Sequence, residues 1–281
     1  VNVDRFFLSH RKEVGIAANK IYDVTIIAKD TGKRGEIESL GLKFINLPID
    51  RSGPNPNQEI KTFFFLYNFY KQEAPDLVHH VGLKVILWGS LAAKLARVRA
   101  EVNAISGLGV FFSEESKSLI GKILPCILKF SHNRNKLSCI FQNEEDKTLF
   151  LENSIINSDQ VNLIKGSGVN LSLFTYTKEP DTNKVIILFT GRMIKEKGIL
   201  VLVDAAKKLK ETHYNKVEFW LCGGVDDNPT ALSKSELDGL CDGEYIQWLG
   251  FRTDVLDLLK QCHIIAFPSY YKEGLPKSLI E

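Results

Sequence analysis

Short β-branched apolar runs alternate with longer amphipathic patterns along this chain, and no other feature limits its fold so strongly. Two parallel strands cannot be joined by a tight turn; they need a crossover of about a dozen residues or more, usually a helix. The alternation therefore predicts an α/β protein with parallel sheets covered on both faces. In the first half, strands are expected at 23–28, 42–47, 76–80, 101–105, 137–141 and 161–165, with helices at 10–20, 57–73, 88–97, 116–130 and 145–152. Ala74-Pro75 before Asp76 supports a strand entry there, because proline ends a helix and biases its neighbour to extended backbone.

The pattern breaks at Gly166-Ser167-Gly168-Val169-Asn170 and the polar stretch 176–183, whose composition is that of a connection. It restarts with strands at 185–190, 217–222, 245–249 and 264–267, separated by helices ending near 212, at 231–240 and at 254–261. We read two successive Rossmann-like domains, 1–170 and 185–281, joined by a linker at 171–184. The chain opens on Val1 and stops at Glu281 inside a helix-like run, so the second domain is expected to be incomplete.

Composition narrows the function. A formal charge of +2 excludes a generally basic nucleic-acid binder, so any basic character that matters is local. The five cysteines are scattered without metal-ligand spacing and read as reduced core thiols of a cytoplasmic protein. No stretch approaches the about 18 apolar residues of a spanning helix, and no signal-peptide pattern opens the chain.

In sheets of this kind ligands bind beyond the carboxyl ends of the strands. Two loops there carry chemistry. In Thr190-Gly191-Arg192-Met193-Ile194-Lys195-Glu196-Lys197-Gly198, Gly191 allows a sharp turn, and Arg192 and Lys197 can converge on a diphosphate at a helix N-terminus. The bland reading is a solvated basic loop. In Pro268-Ser269-Tyr270-Tyr271-Lys272-Glu273-Gly274-Leu275-Pro276, running on to Glu281, two carboxylates at different depths can accept hydrogen bonds from sugar hydroxyls. The bland reading is a helix-terminal acid plus a surface acid.

Together these loops resemble the glycosyltransferase family 4 pattern, a strand-end Gly-Arg with a following Lys-Gly and a later Pro-Ser-x-x-x-Glu-Gly-x-Pro ending in a second Glu. Val3-Asp4-Arg5-Phe6-Phe7-Leu8-Ser9-His10-Arg11, Ile105-Ser106-Gly107-Leu108-Gly109, Phe141-Gln142-Asn143 and Gly166-Ser167-Gly168-Val169-Asn170 resemble the branch that builds bacterial surface polysaccharides, such as capsule and O-antigen, and lipid-linked oligosaccharides. The resemblance implies two facing Rossmann-like domains (the GT-B fold), with the nucleotide-sugar on the second and the acceptor on the first. It implies retaining transfer without metal or other cofactor, a UDP-linked donor, and a glycan or polyprenyl-diphosphate-linked acceptor at the inner face of the cell membrane. Arg192 and Lys197 would stabilise the leaving diphosphate, Glu273 would contact the donor sugar beside the backbone of Gly274 and Leu275, and Glu281 would hold the ribose. Arg252, in Gly250-Phe251-Arg252-Thr253-Asp254, falls in the loop near the base, where Thr253 also suits an N-cap.

Two departures from the family pattern touch the first domain. Relatives often carry His-x-His where this chain has His79-His80-Val81, so either histidine, or a core role for one of them, fits. A Gly-rich turn is replaced by Asn2-Val3-Asp4-Arg5, so Asp4, and His10 in the same motif, are expected to meet substrate through side chains.

Within 116–136, Leu119, Ile120, Ile123, Leu124, Ile127 and Leu128 recur at helical spacing, and Lys117, Lys122, Lys129, Arg134 and Lys136 surround them with no acid. This describes a basic helix lying on an anionic membrane, or an ordinary helix packing its stripe on the sheet. Tyr67, Phe69 and Tyr70 form a second contact or part of the core. Two other functions fit the architecture: a nucleotide-sugar epimerase, and a non-catalytic nucleotide-sugar-binding protein. A nicotinamide dehydrogenase does not, because no G-x-G-x-x-G follows a strand.

Overall fold

The computed structural model describes residues 1–50, 55–107, 119–226, 228, 230–270 and 275–281, with side chains from 124 onward in the helix that begins at Leu119. The chain divides into two compact units, Val1–Ser167 forming the body of the first and Gly168–Tyr271 with Pro276–Glu281 forming the second. The segment 171–184 is therefore part of the second unit.

The first unit runs α1 (Asp4–His10), α2 (Lys12–Asn19), β1 (Thr25–Ala28), α3 (Arg34–Glu38), β2 (Lys43–Asn46), α4 (Pro56–Glu73), β3 (Leu77–Val81), α5 (Leu83–Ala96), β4 (Ala100–Ile105), α6 (Leu119–His132), β5 (Leu137–Phe141), α7 (Glu144–Glu152) and β6 (Val161–Leu163). Strands β3-β4-β5-β6 form a parallel sheet in sequence order, and β1 pairs with β2 in a second parallel sheet. The expected strands are all present, shifted by a residue or two at their ends. The helix expected at 10–20 is two helices broken at Arg11, and the first begins as early as Asp4.

Local chemistry accounts for the element boundaries. Asn55 caps α4 by accepting from the Gln58 N–H, and Pro56 occupies the first helical position, where its missing N–H costs nothing. Asn143 caps α7 at 2.7 Å from the Asp146 N–H. On β5, Leu137, Cys139 and Phe141 are buried on one face, where Phe150 of α7 meets Phe141 edge-on. Leu83, Ile86, Leu124 and Leu128 from α5 and α6 complete that core.

The second unit runs β7 (Val185–Thr190), α8 (Ile199–His213), β8 (Val217–Cys222), α9 (Lys234–Leu240), β9 (Ile246–Gly250), α10 (Val255–Gln261), β10 (Ile264–Ile265) and α11 (Lys277–Ile280). Its four strands are parallel in the order β10-β7-β8-β9, with a register shift between Leu221 and Cys222. Ser233 and Glu236 form a capping box at the start of α9. Thr253 is not the N-cap of α10; that place is taken by Asp254.

Candidate active site

In the second unit the loops after neighbouring strands β7 and β10 meet. Beyond Thr190 the chain turns at Gly191, whose N–H bonds to the Cys222 carbonyl at 3.0 Å. A Cβ on Gly223 would lie 1.8 Å from the Gly191 carbonyl oxygen, so only glycine lets the ends of β7 and β8 approach this closely. Arg192 follows, exposed, with its guanidinium 4.0 Å from Asp226 in the loop after β8. Residues 195–197 form one 3-10 turn that ends at Gly198, φ +75°. A Cβ there would meet the Pro268 carbonyl oxygen at 2.2 Å. The Lys197 ammonium stands 5.5 Å from the centre of the Phe267 ring.

The loop after β10 is pinned to this turn. The Tyr270 N–H and the Ser269 hydroxyl both donate to the Glu196 carbonyl, at 3.1 and 3.4 Å. On the other flank the Thr230 hydroxyl donates to the Glu196 carboxylate at 2.6 Å, and the Lys195 N–H donates to the Thr230 carbonyl. Glu196 thus clasps the loops after β8 and β10 to the Arg192–Lys197 turn. Sequence reasoning missed Glu196, Thr230 and Asp226. The only signal was Gly223-Gly224 at a strand end, which marks close backbone approach.

Other predicted donor residues fare differently. Glu273 and Gly274 lie outside the described residues, and Leu275 is exposed. Glu281 follows α11 and pairs with Lys277 at 3.0 Å, four residues back. Arg252 is engaged locally: its Nε donates to Asp254 at 2.7 Å and its Nη2 bonds the other carboxylate oxygen. That hydrogen bonding holds Asp254 down at about 2, and Arg252 is committed to shaping the start of α10. Beside it, Phe251 is exposed on the rim, against Gly224.

In the first unit the four candidates separate. Asp4 is fully buried, and its carboxylate accepts from the Thr31 N–H at 2.6 Å, the Thr31 hydroxyl at 2.5 Å and the Lys33 N–H at 3.0 Å. Burial opposes its charge, but these bonds outweigh burial and hold its pKa below the usual value. Asp4 therefore ties down the 31–33 loop, a correction to the substrate contact expected of it. His10 stacks on Phe6, with ring centres 4.4 Å apart, and shares a hydrogen bond with Ser9.

His80 is a core histidine. The Tyr70 hydroxyl bonds its Nε2 at 2.9 Å, and its Nδ1 bonds Asn103 Oδ1 at 2.9 Å. Asn103 Nδ2 reaches Ser90, Glu101 and His132, and Arg134 closes the network on Glu101 at 2.8 Å. Burial disfavours the Glu101 charge, but the His80 and Ser90 hydrogen bonds prevail and its pKa falls to about 2. His132 is pushed down to about 4 by burial. His79 projects from the opposite face of β3 and is exposed, and crowding by protein, Arg11 and His80 lowers its pKa. A small cavity of about 80 Å³ opens at the carboxyl ends of β3 and β4, lined by Asn2, Val3, Phe6, Val81, Gly82 and Ser106. A broader groove of about 390 Å³ lies past β1 and β2, where Lys29, Asp30, Asn46, Asp50 and Gln58 contribute polar walls.

Of the two readings of 116–136, the described side chains fit the ordinary packed helix. Residues 116–118 lie outside the described residues, Leu124 and Leu128 of α6 are buried in the core, and Arg134 is drawn inward onto Glu101. Tyr70 is likewise buried, with Tyr67 and Phe69 packed against the core around it. Among the described residues, no helix is long and apolar enough to cross a membrane.

Comparison with known proteins covers most of the chain. The family described as "Glycosyl transferase 4-like" matches residues 1–143, and that described as "Glycosyl transferases group 1" matches residues 184–281. The chain is 30% identical to the N,N'-diacetylbacillosaminyl-diphospho-undecaprenol alpha-1,3-N-acetylgalactosaminyltransferase of Campylobacter jejuni, covering 92% of this chain and 70% of that protein. It is 23% identical to the UDP-Gal:alpha-D-GlcNAc-diphosphoundecaprenol alpha-1,3-galactosyltransferase of Escherichia coli, covering 96% and 71%. A solved glycosyltransferase structure from Rickettsia africae superposes with a TM-score of 0.63 at 22% identity, covering 93% of this chain and 69% of that one.

Proposed function

The chain belongs to the family 4 glycosyltransferases, and from that premise we propose that it moves a sugar from a UDP-linked donor to a polyprenyl-diphosphate-linked glycan in surface-polysaccharide assembly. The observation that carries this is the clasp in the second unit, which gathers Arg192, Lys197 and the loop after β10 at one edge of the sheet. Two cations there offset the charge that grows on a departing diphosphate, the part otherwise taken by a metal ion. The family pattern assigns Glu273, outside the described residues, to the donor sugar, with Gly274 and Leu275 beside it and Glu281 on the ribose. Transfer retains the anomeric configuration, and the α-1,3 linkages in the names of both curated relatives support an α-linked product. An undecaprenyl-diphosphate acceptor in both names supports a lipid-linked acceptor and work at the inner membrane face. Sequence relatives that are transferases favour this reading over an epimerase.

Calorimetric titration of the intact protein with UDP, GDP and NAD, without metal, tests the donor side. We expect UDP to bind and Arg192→Ala to abolish most of that binding. Binding of NAD alone would sink the proposal. Mass spectrometry of a polyprenyl-diphosphate monosaccharide, the kind of acceptor both relatives' names give, incubated with candidate UDP-sugars then tests transfer, and separates an enzyme from a binding protein.

A further inference from the structure

Residues just past β1, β3 and β4 enclose the cavity of about 80 Å³ in the first unit. Val3 bridges to Lys29 beyond the end of β1, where the Lys29 N–H donates to the Asn2 carbonyl at 3.2 Å and the Asp4 N–H to the Lys29 carbonyl at 3.1 Å. The Asn2–Val3 segment is therefore fixed along β1, on the edge away from β2. Its other flank meets the end of β3. There the Gly82 N–H bonds the Ala104 carbonyl at 3.2 Å, and a Cβ on Gly82 would come within 3.0 Å of the Asn2 amide nitrogen. From this seam the strands run outward both ways, β1 then β2 on one side and β3 to β6 on the other. Such a switch in strand order opens a crevice at the carboxyl ends of parallel strands, where α/β proteins bind ligands.

The walls of the cavity have a defined chemistry. Asn2 Oδ1 is buried and, among the described residues, accepts no hydrogen bond. Val3 and Val81 are buried apolar side chains, and the Phe6 ring, stacked on His10, is an aromatic wall. Ser106 adds a hydroxyl, which donates as well as accepts. A buried acceptor without a donor costs free energy that a ligand N–H or O–H recovers. A phosphate does not suit Oδ1, because ionised phosphate oxygens only accept. A lone hydroxyl would satisfy Oδ1 but leave Val3, Phe6 and Val81 facing water. One water needs about 10–15 Å³ of such space, so there is room for a side group of several heavy atoms.

We propose that this cavity holds the acetamido group of an N-acetylated amino sugar, the acceptor's terminal residue. The acetamido N–H donates to Asn2 Oδ1, its carbonyl accepts from the Ser106 hydroxyl, and its methyl packs on Phe6, Val3 and Val81, while the sugar ring stays at the mouth. Asn2 and Ser106 then set acceptor specificity. The inference rests on the reading of the chain as a transferase with a glycan acceptor, and it names the class of that acceptor's sugar.

The test compares kcat/KM of the intact protein for two short-chain polyprenyl-diphosphate acceptors, one carrying N-acetylglucosamine and one carrying glucose. Saturation-transfer NMR with the methyl glycosides of the same sugars accompanies it and needs no turnover. We expect the parent to favour the acetamido acceptor by about 10-fold or more, from one hydrogen bond and one buried methyl. Asn2→Leu should cut that ratio below about 3-fold, and Asn2→Asp, whose carboxylate still accepts an N–H, should keep most of it. Ser106→Ala, the milder change, should lower the ratio by about 3-fold or more whatever Asn2→Leu does to folding. In the parent the acetamido methyl should receive the strongest saturation, and lose it in an Asn2→Leu protein that melts like the parent. Equal use of both acceptors by the parent, an acetamido methyl without saturation, or a ratio untouched in both Asn2→Leu and Ser106→Ala overturns the proposal. Transfer to both acceptors alike sinks the cavity's role and keeps the function. Asn2-dependent saturation of the acetamido methyl in a protein that transfers nothing keeps the sugar site and sinks the function.

Discussion

At the scale of single residues, neighbours rather than residue type decide which charges are available to a ligand. Arg192 and Arg252 both follow strands of one sheet, and the sequence reading sets the first on the diphosphate and the second in the loop near the base. In the structure Arg252 is held by both oxygens of Asp254, two residues on, while the ion pair seen for Arg192 among the described residues is with Asp226 at 4.0 Å. Charge-assisted hydrogen bonds contribute about 1.5–3 kcal/mol each, so Arg192→Ala should weaken UDP binding ~10- to 100-fold by calorimetry. An exposed ion pair is worth about 0–1 kcal/mol, so Arg252→Ala should change the same affinity less than ~5-fold. Equal losses in the two variants would show that Arg252 leaves Asp254 to bind donor. The histidines follow the same logic. His79-His80 reads as two candidate ligands in sequence, and strand alternation sends one into a hydrogen-bonded core and the other to the opposite face.

Elements were legible where a local signal sets them and blurred where tertiary contact does. The strands β5, β7 and β8 match their expected limits because their apolar runs are bounded by turn residues. Caps behave similarly: Asn143 begins α7 from its own side chain, and Asn143→Ala should cost about 1 kcal/mol in urea unfolding. The break at Arg11 and the start of α1 at Asp4 had no such signal. Asp4 begins that helix while its carboxylate is claimed by a loop 27 residues away, a partner no local pattern names. The ends of β7 and β8 show the same dependence. Gly223→Ala would set a Cβ 1.8 Å from the Gly191 oxygen, so the strand ends must part. Such overpacking should cost about 1–3 kcal/mol, read as a lower melting temperature together with weaker UDP binding. A variant that melts and binds like the parent would show that the loop relaxes freely.

Across the whole molecule, buried charge makes stability depend on pH. His132 has its folded pKa lowered from 6.5 to about 4, so between those values the unfolded chain binds the extra proton and stability falls as pH falls. Glu101 has its folded pKa lowered from 4.5 to about 2, so the stability it contributes is present above 4.5 and is lost as pH drops toward 2. The first unit should therefore lose stability progressively below pH ~6.5. Replacing His132 with Asn should flatten the upper part of that profile in thermal melts taken from pH 7 to 4. An unchanged slope would show that another group carries it. None of this network announced itself in the chain, since Tyr70, His80 and Arg134 lie outside β4, which carries Glu101 and Asn103, and no local spacing joins them. What the sequence by itself determined is the succession of parallel strands and crossover helices and the Arg192–Lys197 loop, because periodicity, glycine turns and caps act over a few residues. Only the tertiary structure decided that Glu196 clasps three loops into one site, that Arg134 and Asp4 turn inward, and that Leu124 and Leu128 of α6 face the core. Those outcomes depend on which groups are left to satisfy one another once the sheets have formed, and that is a property of three-dimensional neighbours.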